Sequence, residues 1–228
     1  MVQIIQDFIP VGRGNRPGLM ARPFEAITIH DTDNRNWGAG AKMHAAYLKG
    51  DAAGNPNDPK SWHLTVDDVV AYQHLPIFPI NLCEHGWHCT DGPEGPGNLT
   101  SIGIEIAMNA DGNRAQAEQN AAWLVAWLWQ QRGGRCPLWQ HHHWSGKNCP
   151  SVLRGRVGGW DQFWGLVVAQ EHAMSIPQAS QDDAWAKLAV LEAANKELHI
   201  RLAAVQAERD KYKGGIRATQ GIVNQFPM

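Results

Sequence analysis

Charge is the first scarcity. Only 18% of the 228 residues are charged, and 20 Lys and Arg stand against 22 Asp and Glu. Without a basic surplus the chain lacks what counterion-release binding to a polyanion requires, so no nucleic-acid partner is expected. A basic membrane-surface role is disfavoured on the same ground. Long apolar runs are missing too. The most promising one, Ala121 to Trp129, is far shorter than the ~20 residues of a bilayer span, so no membrane insertion is expected. Residues Met1 to Asp7 carry neither the basic n-region nor the apolar h-region of a signal peptide. The expectation is a soluble chain that starts in a cytosol. Cysteine is limited to Cys83, Cys89, Cys136 and Cys149. In a chain without a signal these read as thiols or metal ligands before disulfides.

What is plentiful is histidine and tryptophan, 11 of each. Many imidazoles, a few thiols and low charge point to a metal site or a polar cleft. The indoles offer broad rings for stacking, with sugar rings one natural partner, although any single Trp is more often core.

Composition breaks near residue 180. Residues 1–182 hold 20 of the 23 Gly and 12 of the 13 Pro, whereas 183–213 hold neither and carry 11 charged residues among 31. This organisation predicts a loop-rich globular domain over 1–174, a linker over 175–182, one long helix over 183–213 and a loose tail over 214–228.

Within the globular part, Ala26–His30 is a β-branched run that predicts a buried strand ending on a histidine. Ala39–Leu48 predicts a helix stopped at Gly50. His63–Asp67 and Val69–Tyr72 predict a hairpin about Asp67 and Asp68. Ser101–Ala107 predicts a strand with Glu105 on the face opposite Ile104 and Ile106. Ala115–Arg132 predicts a helix with Ala121, Leu124, Val125 and Leu128 on one stripe, and a last helix covers about Trp160–Ala173. Strands mixed with helices give an α/β fold, a central mixed β-sheet flanked by helices.

The chemistry concentrates in His141-His-His-Trp-Ser-Gly-Lys-Asn-Cys149, three imidazoles, a lysine and a thiol within nine residues. Zinc takes imidazole nitrogen and thiolate, and a catalytic zinc needs three protein ligands and an open position. His30, at a strand end, is a candidate third ligand, which leaves two histidines of the run as bystanders. A rival tract, Cys83-Glu-His-Gly-Trp-His-Cys89, offers four candidate ligands in seven residues, but its spacings are tighter than those of zinc knuckles.

Several motifs in one order carry a resemblance. Asn15–Gly18, Ile27–Thr32, Ala41–Tyr47, Ser61–Asp68, Gly86–His88, Gly97-Asn98, Ser101–Glu105 and Gly146–Pro150 resemble the corresponding stretches of phage-type N-acetylmuramoyl-L-alanine amidases. These are zinc enzymes of the peptidoglycan-recognition-protein fold. The likeness runs from about residue 3 to 170. It implies zinc ligands at His30, His141 and Cys149, the histidine eight residues before the cysteine being chosen over His142 and His143. It implies Glu105 as general base and Lys147 as the positive charge beside the developing oxyanion. His63 and His88 match cleft histidines, and Trp62 and Asn98 join them as expected substrate-binding residues. Asp31 stands where Asn is common, Trp62 where a small residue or Tyr often sits, and Cys89 where Ala is common. The implied reaction is hydrolysis of the amide between the lactyl group of N-acetylmuramic acid and L-alanine in bacterial peptidoglycan. Binding-only receptors of the same fold commonly lack the zinc cysteine, and Cys149 is present. An enzyme of this kind with no signal peptide is expected to wait in the host cytoplasm until a route such as a phage holin releases it to the cell wall.

The long helix carries a seam of its own. With Leu188 at a, the a positions are Leu188, Asn195, Leu202 and Arg209, and the d positions are Leu191, Leu198, Val205 and Tyr212. Lys187 at g faces Glu192 at e of a partner, and Glu208 faces Lys213. The pattern predicts a parallel homodimeric coiled coil about 46 Å long through residues 183–213, the alternative being a helix that folds back onto its own domain or binds another protein.

Overall fold

The computed structural model describes residues 1–20, 23–50, 59–89 and 97–175, together with Leu202 and Gln206. The chain divides into two units, Met1–Ser175 and Ile176–Met228. The predicted linker beyond Ser175, the coiled-coil helix and the tail lie outside the described residues, except that Leu202 and Gln206 are helical.

Among the described residues, six strands and six helices build the first unit: β1 (Gln3–Gln6), β2 (Ala26–Asp31), α1 (Ala41–Lys49), β3 (Leu64–Val66), β4 (Val70–Gln73), α2 (Gly97–Thr100), β5 (Ser101–Ile106), α3 (Arg114–Arg132), β6 (Leu138–Gln140), α4 (His141–Ser145), α5 (Ser151–Gly155) and α6 (Gly159–Ser175). A short 3-10 turn covers Ile80–Leu82. The strands form one sheet in the order β1-β4-β3-β5-β2-β6. Only the β3–β4 hairpin is antiparallel, so the sheet is mixed as expected.

The two-residue period of a strand gives the sheet two faces. Ile27, Ile29, Ile102, Ile104, Ile106, Leu64 and Val66 project to one side and pack with Ala121, Leu124, Val125 and Leu128 of α3 and Phe163 and Val167 of α6. Thr28, His30, Ser101, Gly103, Glu105 and Thr65 share the other side. Register aligns them across strands, with His30 opposite Glu105 and Glu105 opposite Thr65. One face is therefore core and the other is the polar floor of a site.

Local signals account for the helix ends. Asn113 caps α3 by accepting the Gln116 amide at 3.2 Å, and α3 stops at Gly133 as its sequence predicts. α1 begins at Ala41 rather than Ala39, because the Asp67 carboxylate accepts the Ala41 amide at 2.8 Å. The same carboxylate accepts the Val69 and Val70 amides and so ties the β3–β4 turn to the start of α1. Strands β1 and β6 and helices α4 and α5 had no sequence signal. They span three to five residues each, too few for a period to emerge.

Candidate metal centre and catalytic cleft

His30 is the penultimate residue of β2 with its side chain on the polar face, and His141 opens α4 directly after β6, the strand paired to β2. Eight residues separate His141 from Cys149, and the chain must fold back to join them. Gly146 makes that reversal at φ +72°, a left-handed conformation that favours glycine. The His142 amide then donates to the Cys149 carbonyl at 3.0 Å, closing the loop.

The result is a convergence of ligand atoms. His30, His141 and Cys149 are buried, and one ligand atom from each lies within 4.8 Å of the others. His30 Nδ1 is 3.0 Å from His141 Nδ1 and 3.9 Å from Cys149 Sγ. Among the described residues this is the one group of three such side chains placed to share an ion. The rival tract forms no such group: Cys83 is buried in the main core, and Cys89 belongs to a separate cluster with Ala26 and Trp144.

Of the three consecutive histidines, only His141 points to the centre. His142 is half-buried and pairs through Nδ1 with the Lys147 carbonyl at 3.1 Å, while His143 stacks on Trp139 with ring centroids 4.0 Å apart.

Glu105 lies beside the cluster, with Oε1 3.9 Å from His30 Nδ1. This is not an ion pair, since burial, reinforced by the neighbouring His88 and His141, pulls the His30 imidazole well below its ordinary range. Burial also lifts the Glu105 carboxyl well above its ordinary range, with Asp31 adding to the rise and Lys147 opposing it. Burial lowers His141 to about 4 and pushes the Cys149 thiol up to about 12, Glu105 being the next cause for the thiol. Glu105 Oε2 is buried with no hydrogen-bond partner among the described residues. The centre thus gathers two imidazole nitrogens, a thiol and a buried carboxyl oxygen without a partner among the described residues, groups whose lone pairs a cation can take up. Two imidazole nitrogens and one thiolate are a donor set suited to zinc.

The centre opens into a cleft of about 450 Å³ lined by His30, Asp31, Trp62, Trp87, His88, Asn98, Glu105, His141, Lys147 and Cys149, among others. Lys147 is exposed at its edge, and its charge opposes protonation of both His30 and His141. Trp62 offers the cleft only its ring, because its indole N–H donates to Thr65 Oγ1 at 2.6 Å.

His63 corrects an expectation. It is fully buried and does not line the cleft. Its Nδ1 accepts the Gly103 amide at 2.9 Å and its Nε2 donates to the Glu84 carbonyl at 2.8 Å, so neither nitrogen is left for a substrate. His88 does reach the cleft, yet both of its nitrogens are engaged inside the protein, with His30 and with the Ser101 carbonyl. Asn98 turns its Oδ1 to the His88 and Cys89 amides at 3.0 and 2.7 Å.

Asp31 faces the other way, behind the centre. Its carboxylate accepts from Arg114 at 2.6 Å and from the Val152 amide at 2.7 Å, while its own amide donates to Cys149 Sγ at 3.4 Å. One residue so joins β2, α3, the start of α5 and the thiol. The sequence marks Asp31 but gives no sign of Arg114, which is 83 positions away. Trp87 is a second residue the sequence leaves unassigned, although it sits inside the quoted Gly86-Trp-His88 stretch and lines the cleft.

The sequence profile of the N-acetylmuramoyl-L-alanine amidase family matches residues 20–152. The chain is 49% identical over 164 residues to the N-acetylmuramoyl-L-alanine amidase XlyA of Bacillus subtilis, covering 72% of this chain and 50% of that protein. It is 48% identical over 166 residues to CwlH, an amidase of the same name and organism, covering 72% and 60%. The structure of a mutant endolysin from Bacillus subtilis superposes with a TM-score of 0.63 at 47% identity, over 73% of this chain and 99% of that one. The chain thus spans 50% of the length of XlyA and 60% of that of CwlH.

Proposed function

The chain belongs to the N-acetylmuramoyl-L-alanine amidase family, and from that premise we propose that it hydrolyses the amide between N-acetylmuramic acid and the L-alanine of the stem peptide in bacterial peptidoglycan. The observation that carries the reading is the convergence of His30, His141 and Cys149 beside a buried, partnerless Glu105 oxygen in an open cleft.

His30, His141 and Cys149 would hold zinc. Bound there, the ion supplies Lewis acidity and brings a water's pKa toward about 7. Glu105 takes a proton from the attacking water and returns it to the departing amide nitrogen. Its raised pKa, caused chiefly by burial, favours holding that proton between the two transfers. Lys147 at the cleft edge offsets negative charge as it gathers on the carbonyl oxygen. The Trp62 ring and the Trp87 side chain furnish apolar walls against which the substrate lies.

The wall is thus the site of action, reached after a stay in the host cytoplasm, as for a phage or prophage endolysin. Residues 183–213 pair two copies in parallel. Leu202, an a position of the seam, is helical and 55% exposed. Two linked heads on one polymeric substrate gain avidity if both reach it together.

The test is the clearing of purified cell walls by the full chain. Clearing that stops with a chelator and returns with added zinc is expected. Clearing that survives complete removal of zinc would overturn the proposal.

A further inference from the structure

Four imidazoles touch in succession, His63, His88, His30 and His141, the last three at the cleft, with successive ring centroids 5.7, 5.1 and 4.7 Å apart. The backbone dictates where protons sit along part of this line. A carbonyl oxygen can only accept, so His88 Nε2, 3.1 Å from the Ser101 carbonyl, carries the hydrogen. His88 is buried with no carboxylate among its hydrogen-bond partners, so the ring is neutral and its Nδ1 is a bare acceptor. That Nδ1 lies 3.0 Å from His30 Nε2, which must therefore donate. A neutral His30 with its hydrogen on Nε2 keeps a lone pair on Nδ1, the atom aimed at His141 and Cys149.

We infer that His88 is a positioning residue that fixes His30 as an Nδ1 metal ligand, and that Gly103 is the platform which lets the His88 ring reach it.

Three devices hold the His88 ring for this purpose. A Cβ at Gly103 would fall 2.7 Å from His88 Cγ and 2.8 Å from its Nδ1, so the ring occupies the space any side chain there would need. Asn98 Oδ1 accepts the His88 amide and anchors its backbone. His63, pinned at both nitrogens, meets the outer side of the ring edge-to-face at 78°. The expected cleft residues His63, His88 and Asn98 thus share one task that needs no contact with substrate. Groups that orient a metal-bound imidazole typically carry 10–100-fold in metal affinity, about the size of effect expected here.

The inference rests on the metal-site reading, and two measurements keep the two separable. The first uses metal-free wild-type protein with ¹⁵N-labelled histidine, in which ring-nitrogen shifts report the tautomer without any metal. His30 with its hydrogen on Nε2 is expected; a hydrogen on Nδ1 would overturn the inference, whether or not zinc binds. The second is zinc affinity, read by competition with a chromophoric chelator. Wild type that fails to bind zinc would overturn the metal-site reading itself. His88→Phe and Gly103→Ala should each weaken binding about 10–100-fold. The second of these keeps the imidazole and only displaces it. His88→Asn, whose amide oxygen can accept from His30, should recover most of the loss. Variants that remain folded by circular dichroism and bind zinc as tightly as wild type would overturn the inference.

Discussion

His30 and Glu105 stand opposite one another in register on neighbouring parallel strands, and their Nδ1 and Oε1 atoms are 3.9 Å apart. Because β2 and β5 pair without a bulge between them, the proposed first ligand and the proposed base rise from the same row of one sheet face. The distance between them is set by backbone hydrogen bonds rather than by loop conformation.

The ligand assignment makes a sharp contrast within one tripeptide. Cys149→Ser and His141→Ala should each lose zinc and wall-clearing activity, measured by metal analysis after gel filtration. His142→Ala should keep both, since His142 points at the Lys147 carbonyl instead. Equal zinc loss from His142→Ala would mean that the wrong histidine has been chosen.

Glu105→Gln should retain zinc and lose turnover by about 10²–10⁴-fold. It should also stabilise the metal-free protein at pH 7. A carboxyl whose folded pKa lies above its unfolded value loses stability as pH rises through the unfolded value toward the folded one, and glutamine escapes that loss. The gain should read as a higher Tm that shrinks as pH falls through the ordinary carboxylate range, where the carboxyl becomes protonated in both states. A lower Tm for the variant at pH 7 would contradict the stated cause of the raised pKa.

In Glu105→Gln, which removes the other titrating group beside the centre, zinc affinity should follow pH with the slope of a single proton. The Cys149 thiol sits at about 12 and must ionise to bind, so affinity falls about tenfold for each unit of pH lost. His141, at about 4, is already neutral and adds nothing between pH 6 and 8. Isothermal titration in buffers of different ionisation enthalpy should count one proton released per zinc. A count of zero or two would show that the resting protonation state is different.

Arg114→Ala should cost about 3–5 kcal/mol in denaturant unfolding, because it leaves the buried Asp31 carboxylate without its charged partner. Double replacement with Asp31→Asn should cost less than the sum of the two single changes. Strict additivity would mean that the pair does not interact.

Much of this arrangement was legible beforehand, and the exceptions have physical reasons. The buried strand through His30, the hairpin at Asp67 and the long helix to Arg132 each carry a local period or a turn signal. β1, β6, α4 and α5 are held by their neighbours and are too short to announce themselves. The proposed ligands were legible only through the order of several motifs and the eight-residue spacing that the resemblance implies, since composition within His141–Cys149 does not tell one histidine from the next. His63 was expected in the cleft and is fully buried outside its lining, whereas His88 lines the cleft with both ring nitrogens engaged. Their partners are the Gly103 amide and the Glu84 and Ser101 carbonyls, and hydrogen bonds to the backbone leave no mark in a sequence.

The pairing of residues 183–213 is checked by light scattering at micromolar concentration. A dimer mass for the full chain, and a monomer mass for a chain ending at Ser175, are expected. Monomer masses for both would end the coiled-coil proposal.

The bond that is cut is tested most directly by mass spectrometry of purified peptidoglycan after digestion by the full, zinc-loaded chain. Stem peptides with free L-alanine amino termini, released without new reducing sugar ends, are the predicted products. New reducing ends without free L-alanine termini would contradict the amidase reading and identify a glycosidase instead.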